Sequence, residues 1–167
     1  GVQTCALPIC DKVVVTGSAA VLLHALNAET EESYNDLSKL ENLVSIVRIE
    51  DSGQFRITSD FDFLIVQKEQ NINVSTVIIK EFEYKRVQGE PGRSLTFKSK
   101  YDTCPPFDIS VRTVVQYNEI TYNSKSYSVQ SLRSLYDTYM DNLEHDNLEK
   151  QKRNENKLEL LAELIEK

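Results

Sequence analysis

The chain has no apolar run approaching the length of a membrane span, so no membrane partner is expected. Basic charge is in deficit. Nineteen lysines and arginines against 26 acidic residues leave a net charge of −7. That argues against extensive binding to duplex DNA and leaves open local contact with a few phosphates. Cysteine is scarce, and two of its three occurrences fall at the N-terminus. Gly1–Ile9, GVQTCALPI, reads as the translation of a sequencing-adapter oligonucleotide, so residues 1–10 are expected to be a scar rather than native sequence. The native start is then expected to be missing, along with any targeting signal it held. Cys5 and Cys10 go with the scar. Cys104 alone supports neither a disulfide framework nor a cysteine metal site, and it fits a reducing cytoplasm. Of two histidines, His24 lies in an apolar stretch and reads as packed, while His145 lies in a polar segment and carries no signal. Internal repeats and low-complexity linkers are absent.

What remains is an ordinary globular composition, 40% hydrophobic and 27% charged over 167 residues, enough for one domain with a core. Asp11–Thr16 (DKVVVT) reads as a strand, and Ala19–Asn27 after Gly17-Ser18 as a helix. Glu29–Leu43 reads as an acidic helix, Leu43–Glu50 as a strand and Asp51-Ser-Gly53 as a turn. Phe61–Val66 reads as a strand. Thr76–Val87 (TVIIKEFEYKRV) reads as a helix or a helix-to-strand passage. Ser94–Lys100 alternates and would pair across the Gly89–Gly92 turn. A second acid-bearing strand follows Pro105-Pro106. Glu119–Thr121 and Ser126–Val129 flank a hairpin turn, and two helices run to about Leu143 and over Asn147–Glu166. Strands and helices intermix around one core, which predicts an α+β fold with a mixed β-sheet and flanking helices.

Three carboxylates are the most informative residues. Asp60 and Asp62 alternate with Phe61 and Phe63, so the acids share one strand face and the rings the other. Asp108 alternates likewise with Phe107, Ile109 and Val111. Carboxylates placed among large apolar residues are costly without compensation, and three that converge repel one another. A divalent cation removes that penalty. Hard oxygen ligands on rigid strands suit Mg²⁺, which binds through a few carboxylates and substrate phosphates.

Gly17-Ser18, between a strand and a helix, has two readings. Serine is a good N-cap, and a helix N-terminus with a glycine is also a ready anion site. In the last helix, a stripe centred on Leu161 takes in Leu158, Leu164 and Ile165 at about 100° per residue. Followed backwards, the same stripe becomes polar and basic at Lys157, Asn154 and Lys150. Its earlier half would then face an anionic cleft, unless Glu149, Glu155 and Glu159 simply pair with the lysines at a solvated end. The tyrosines at 117, 122, 127, 136 and 139 read first as packing, with Tyr136 and Tyr139 covering the sheet.

In order, these pieces resemble the nucleotidyltransferase superfamily, the fold shared with DNA polymerase beta. A strand leads into Gly17-Ser18, then comes Arg56-Ile-Thr58-Ser-Asp60-Phe-Asp62, then Phe107-Asp108-Ile109, then a lysine-bearing C-terminal helix. The R-x-[ST]-x-D-h-D pattern is most similar to the minimal nucleotidyltransferases that include type IV abortive-infection toxins. The resemblance implies a catalytic core over 11–129, with C-terminal helices over 130–167 packed on it. It implies transfer of a nucleoside monophosphate from an NTP to an acceptor hydroxyl, with two Mg²⁺ ions held by Asp60, Asp62 and Asp108. Asp108 would also help deprotonate the acceptor. Gly17 and Ser18 would cradle the β- and γ-phosphates, and Lys157 would contact the triphosphate. Arg56 is either a substrate contact or an ion-pair partner of the carboxylates, and Thr58 either lines the site or is only a β-former. Among relatives the acceptor is a tRNA end, a protein or a small molecule, and a cognate antitoxin is an implied partner. The acidic stretch of about forty residues between Gly17-Ser18 and Asp60 is longer than in compact toxin-like members. Lys152-Arg-Asn-Glu-Asn-Lys157 stands where relatives often carry a Lys-Asp pair. A different class of function, a catalytically silent regulatory or antitoxin-like module, would keep the fold without turnover. Retention of all three acids argues against it.

Overall fold

In the computed structural model, residues 12–28, 61–67, 75–79, 81–89 and 94–167 are described, with the backbone of 49–51 and 54–56. The helix expected over Glu29–Leu43, together with Thr58, Asp60 and the Arg56 side chain, lies outside the described residues.

Strand β1 (Lys12–Thr16) holds three consecutive valines and runs directly into helix α1 (Gly17–Ala28). The joint turns on Gly17, whose φ of +66° is a left-handed conformation that costs a residue with a Cβ. Two short strands, β2 (Ile49–Asp51) and β3 (Gln54–Arg56), form their own antiparallel pair. The main sheet has eight strands in the order β5-β6-β7-β8-β4-β1-β10-β9. They are β4 (Phe61–Val66), β5 (Thr76–Ile79), β6 (Phe82–Gln88), β7 (Leu95–Ser99), β8 (Phe107–Arg112), β9 (Tyr117–Tyr122) and β10 (Lys125–Gln130). Pairs β4–β8 and β1–β10 are parallel and the rest antiparallel. With helices α2 (Leu132–Leu143) and α3 (Leu148–Glu166), the fold is α+β with a mixed sheet.

One expectation fails. Thr76–Val87 is a β-hairpin, not a helix. Val77 and Tyr84 oppose each other and are buried, while Ile78 and Glu83, the next pair, face outward. That is a period of two. The β-branched Thr76-Val-Ile-Ile79 run favours a half-buried pleated surface over a helix.

Two buried clusters hold the fold together. The first is built on Phe107, which stacks on Phe97 at 5.2 Å and touches Tyr84 at 4.9 Å and Phe63 at 6.1 Å. Ile65, Leu95, Ile109 and Val111 complete it. The second joins Ala20 and Val21 of α1 to Ile120 and Val129 of the sheet, Leu135 of α2 and Leu161 of α3. Both C-terminal helices therefore share a core with α1. Each starts on a side-chain cap: Ser131 accepts from the Ser134 amide and Asn147 from the Lys150 amide. His24 is packed, its Nε2 lying 2.7 Å from the Gln130 carbonyl oxygen. Among the described residues, no helix is long and apolar enough to cross a membrane.

Candidate active site

Sheet register determines which polar side chains meet. Asp62 is the Cα partner of Asp108 across the parallel β4–β8 pair. It is also the partner of Thr16 across β4–β1, and Asp108 is the partner of Thr96 across β8–β7. Directly opposed residues share a face of the sheet, so Thr96, Asp108, Asp62 and Thr16 form one polar row over four strands. The opposite faces of β4 and β8 carry Phe63, Ile65, Phe107, Ile109 and Val111 into the first core cluster. A backbone bond from the Phe61 amide to the Pro106 carbonyl (3.1 Å) extends the pairing to the strand starts.

Hydroxyl groups support both ends of the row. Thr96 Oγ1 donates to Asp108 Oδ1 at 2.5 Å. Thr16 Oγ1 donates to Gln130 Oε1, and the buried Gln130 amide donates to Ser134 Oγ (2.8 Å) and Thr138 Oγ1 (3.3 Å) of α2. Thr96 and Gln130 were not legible as site residues. Thr96 sits in an unremarkable alternating run, and only the register sets it beside Asp108.

Gly17 lies against Asp62. A Cβ at Gly17 would sit 3.1 Å from both Cβ and Cγ of Asp62 and collide with Oδ2. Glycine is thus required twice, for its backbone conformation and for its close approach to a carboxylate. Ser18 follows in the first turn of α1, where backbone N–H groups have no partners within the helix.

The C-terminal helices close over this corner. Tyr139 of α2 packs on the second core cluster, and its hydroxyl hydrogen-bonds with the Ser18 side chain. Burial, and after it the charge of Asp62, push the Tyr139 pKa well above the ordinary phenol value, against the opposing effect of Ser18. Lys157 of α3 sets its ammonium 5.3 Å from the centre of the Tyr139 ring, a cation–π distance. Burial pulls its pKa down to about 8, with Arg153 and Lys150 pushing the same way and Asp62 and Asp146 opposing them. Lys157 is therefore not at a solvated helix end. Lys150 itself pairs with Asp146 at 3.2 Å, and Asp146 also accepts from the buried Asn154 at 2.7 Å. The sequence reads Tyr139 as sheet packing, and it does pack on the cluster that holds Ile120 and Val129; nothing in the sequence sets it beside Ser18.

The described site thus gathers Gly17, Ser18, Asp62, Asp108 and Lys157, with Tyr139 and Thr96 added. Arg56 is placed only as the last residue of β3, and Asp60 and Thr58 lie outside the described residues. Among the described residues there is no group of three or more His, Cys, Asp or Glu placed to hold a metal ion.

No protein-family model matches the chain, and neither does any curated protein. Among solved structures, the fold is similar to an antigenic nucleotidyltransferase-like protein from Paracoccidioides brasiliensis. The match has a TM-score of 0.46 and 10% sequence identity, over 92% of this chain and 68% of that one.

Gly17→Ala is expected to lower stability by about 1–2 kcal/mol from the left-handed backbone alone, with a further loss from displacement of Asp62. Urea denaturation measures it, and a variant as stable as the parent contradicts the close packing.

Lys157 gives a pH signature. Its folded pKa lies below its unfolded value, so the fold carries the cost of a charged, half-buried ammonium below pH 8. That cost is relieved as pH rises from about 8 toward 10.5. Lys157→Met should therefore stabilise the protein most at neutral pH, and the advantage should shrink across that window. A pH-independent difference in denaturation midpoint would contradict the burial of Lys157.

Proposed function

We propose that the chain is a Mg²⁺-dependent nucleotidyltransferase that moves a nucleoside monophosphate from an NTP to an acceptor hydroxyl. The observation that carries this reading is the seating of Asp62 beside Asp108, on one sheet face, against the Gly17 turn. The reading also follows the ordered likeness of the motifs to the polymerase beta-like fold, here with a main sheet of eight strands.

The residues present fit a hard cation. Two carboxylates on adjacent strands offer oxygen donors, and the missing Cβ of Gly17 lets the Asp62 carboxylate seat directly against the turn. Asp62 and Asp108 would hold the metal, with Asp60 as the third ligand. When bound, Mg²⁺ supplies charge stabilisation to the attacking and leaving oxygens of an in-line displacement at the α-phosphate. The chain's own residues do the rest. Thr96 donates to one oxygen of Asp108 and restricts the carboxylate's orientation, and Asp108 would also help to deprotonate the acceptor. The first-turn amides at Gly17 and Ser18 bind the β- and γ-phosphates. Lys157 balances the charge that builds on the leaving pyrophosphate, and Arg56 and Thr58 orient the substrate. The acceptor is an RNA end, a protein or a small molecule, and a toxin-like role with a cognate antitoxin belongs to the same reading.

The test is incubation with each labelled NTP and Mg²⁺, in the presence of total cellular RNA and lysate protein. Transfer of label with release of pyrophosphate is expected. Asp62→Asn should lower it at least ~100-fold, because the metal contributes several kcal/mol to the transition state, while circular dichroism stays unchanged. Normal transfer by that variant contradicts the assignment. Nucleotide binding without pyrophosphate release would identify the catalytically silent regulatory module instead.

A further inference from the structure

The sheet face that carries Asp108 does not end at Thr96. Strands β7 and β6 continue it outward, and there its charge changes sign. Lys98 is two positions beyond Thr96 in β7, so it points to the same face. Lys85 of β6 is the Cα partner of Lys98 and shares that face with it. Both lysines are exposed. Lys85 pairs with Glu83 of its own strand at 3.6 Å, and Lys98 has no ion-pair partner among the described residues.

Like charges set directly opposite one another destabilise a sheet. Here two cations are opposed in a chain whose net charge is −7. An anion lying over the pair removes the repulsion. Position adds to this. Gln88, exposed, is the Cα partner of Thr96 and extends the row that holds Asp108 and Asp62. The lysine row lies one pleat step from that row, toward the end of the sheet where β8 begins at Phe107. Because β1 runs antiparallel to β4, the Gly17 turn is at the same end. With strands about 4.8 Å apart and a rise of about 3.4 Å per residue, the Cα of Lys98 falls roughly 8 Å from that of Asp108, and the Cα of Lys85 roughly 12 Å. A small acceptor does not span Asp108 and Lys85 together, whereas a polymer does.

We propose that Lys98 and Lys85 form the docking strip for the acceptor, and that the acceptor is a single-stranded nucleic acid presenting its terminal hydroxyl to Asp108. This rests on the nucleotidyltransferase reading and names its acceptor class.

A phosphodiester backbone carries one negative charge per nucleotide, in a regular series that suits cations spaced along a flat sheet face. Phosphate contacts from lysine position a strand without reading its sequence, and Gln88 adds a hydrogen-bonding group beside them. Two lysines give a short footprint, in keeping with a chain too acidic for broad duplex binding. With the backbone held on the lysines, the terminal hydroxyl lies at the Asp108 end of the strip. Transfer joins its oxygen to the α-phosphorus of the NTP, pyrophosphate leaves, and the hydroxyl proton passes to Asp108.

The test is fluorescence anisotropy of labelled oligouridylate and oligoadenylate with free 3′ hydroxyls, titrated with the full chain over a range of salt. The parent should bind both. Lys85→Gln and Lys98→Gln should each weaken binding to both oligonucleotides alike and lower the slope of log K against log salt by about 0.7. Lys125→Gln, at the far edge of the sheet in β10, should leave the slope unchanged, and circular dichroism of all three should match the parent. In turnover, Lys98→Gln should raise KM for the oligonucleotide and not for the NTP, and a 3′-deoxy oligonucleotide should bind normally and accept nothing.

Slopes unchanged in both lysine variants overturn the proposal and leave the nucleotidyltransferase reading standing. So does label transferred to protein rather than to the oligonucleotide, or competition by polyglutamate as strong as that by unlabelled oligonucleotide. Lysine-dependent oligonucleotide binding in a chain that turns over no NTP supports the strip as a nucleic-acid surface and overturns the enzymatic reading. A chain that binds neither oligonucleotide nor NTP overturns both.

Discussion

The registered pairing of β4 with β8 is the constraint on which the rest depends. It places Asp62 and Asp108 side by side on neighbouring strands, which run about 4.8 Å apart. At an effective dielectric near 20, two charges at that separation repel by roughly 3 kcal/mol. The opposite face more than offsets this. Ile65, Phe107, Ile109 and Val111 are all buried there, and each contributes roughly 1.5–3 kcal/mol on burial. A slip of one residue would move every one of these side chains to the wrong face. The apolar core thus fixes the register that brings the two carboxylates side by side. The bond from Thr96 to Asp108 restricts that carboxylate's orientation.

Around this pair, the fold brings in two further elements from distant parts of the chain. Antiparallel pairing of β1 with β4 sets Thr16 opposite Asp62, so the strand-to-helix turn at Gly17 comes out against the carboxylate. The second core cluster draws α2 and α3 onto α1, which delivers Tyr139 and Lys157 to the same corner. Acidic and basic groups then face each other: the carboxylate of Asp62 raises the pKa of Lys157 while burial and neighbouring cations lower it. In the proposed reading, an anion bound at this corner would favour the charged lysine.

Much of this was legible in the sequence, for identifiable reasons. Asp62 and Asp108 announced themselves because a carboxylate alternating with large apolar residues is uncommon in a strand. The β9–β10 hairpin was legible from its polar turn, where Asn123 and Ser124 take positive φ. The α3 stripe was legible from its period, which put Leu158, Leu161 and Leu164 on the core, whereas Asn154, expected to face a cleft, is buried on Asp146 and Lys150 is exposed. Thr76–Val87 was misread because Lys80 and Glu81 interrupt the run with helix-forming residues. The alternation of Val77 and Tyr84 becomes clear only once the hairpin is paired. Thr96, Gln130 and Tyr139 escaped for a different reason. Their importance comes from partners 12 or more positions away in the chain, at Asp108, Thr16 and Ser18. Local pattern carries no information about such pairings.

The most direct test of the central claim is Mn²⁺ titrated as a paramagnetic stand-in for Mg²⁺ into isotopically labelled protein, followed by NMR. Resonance broadening at low metal ratios should be strongest at Asp62, Asp108 and Gly17, fade outward across the sheet toward β6, and disappear in Asp108→Asn. Broadening centred elsewhere, or unchanged in that variant, would contradict a metal held between these two strands.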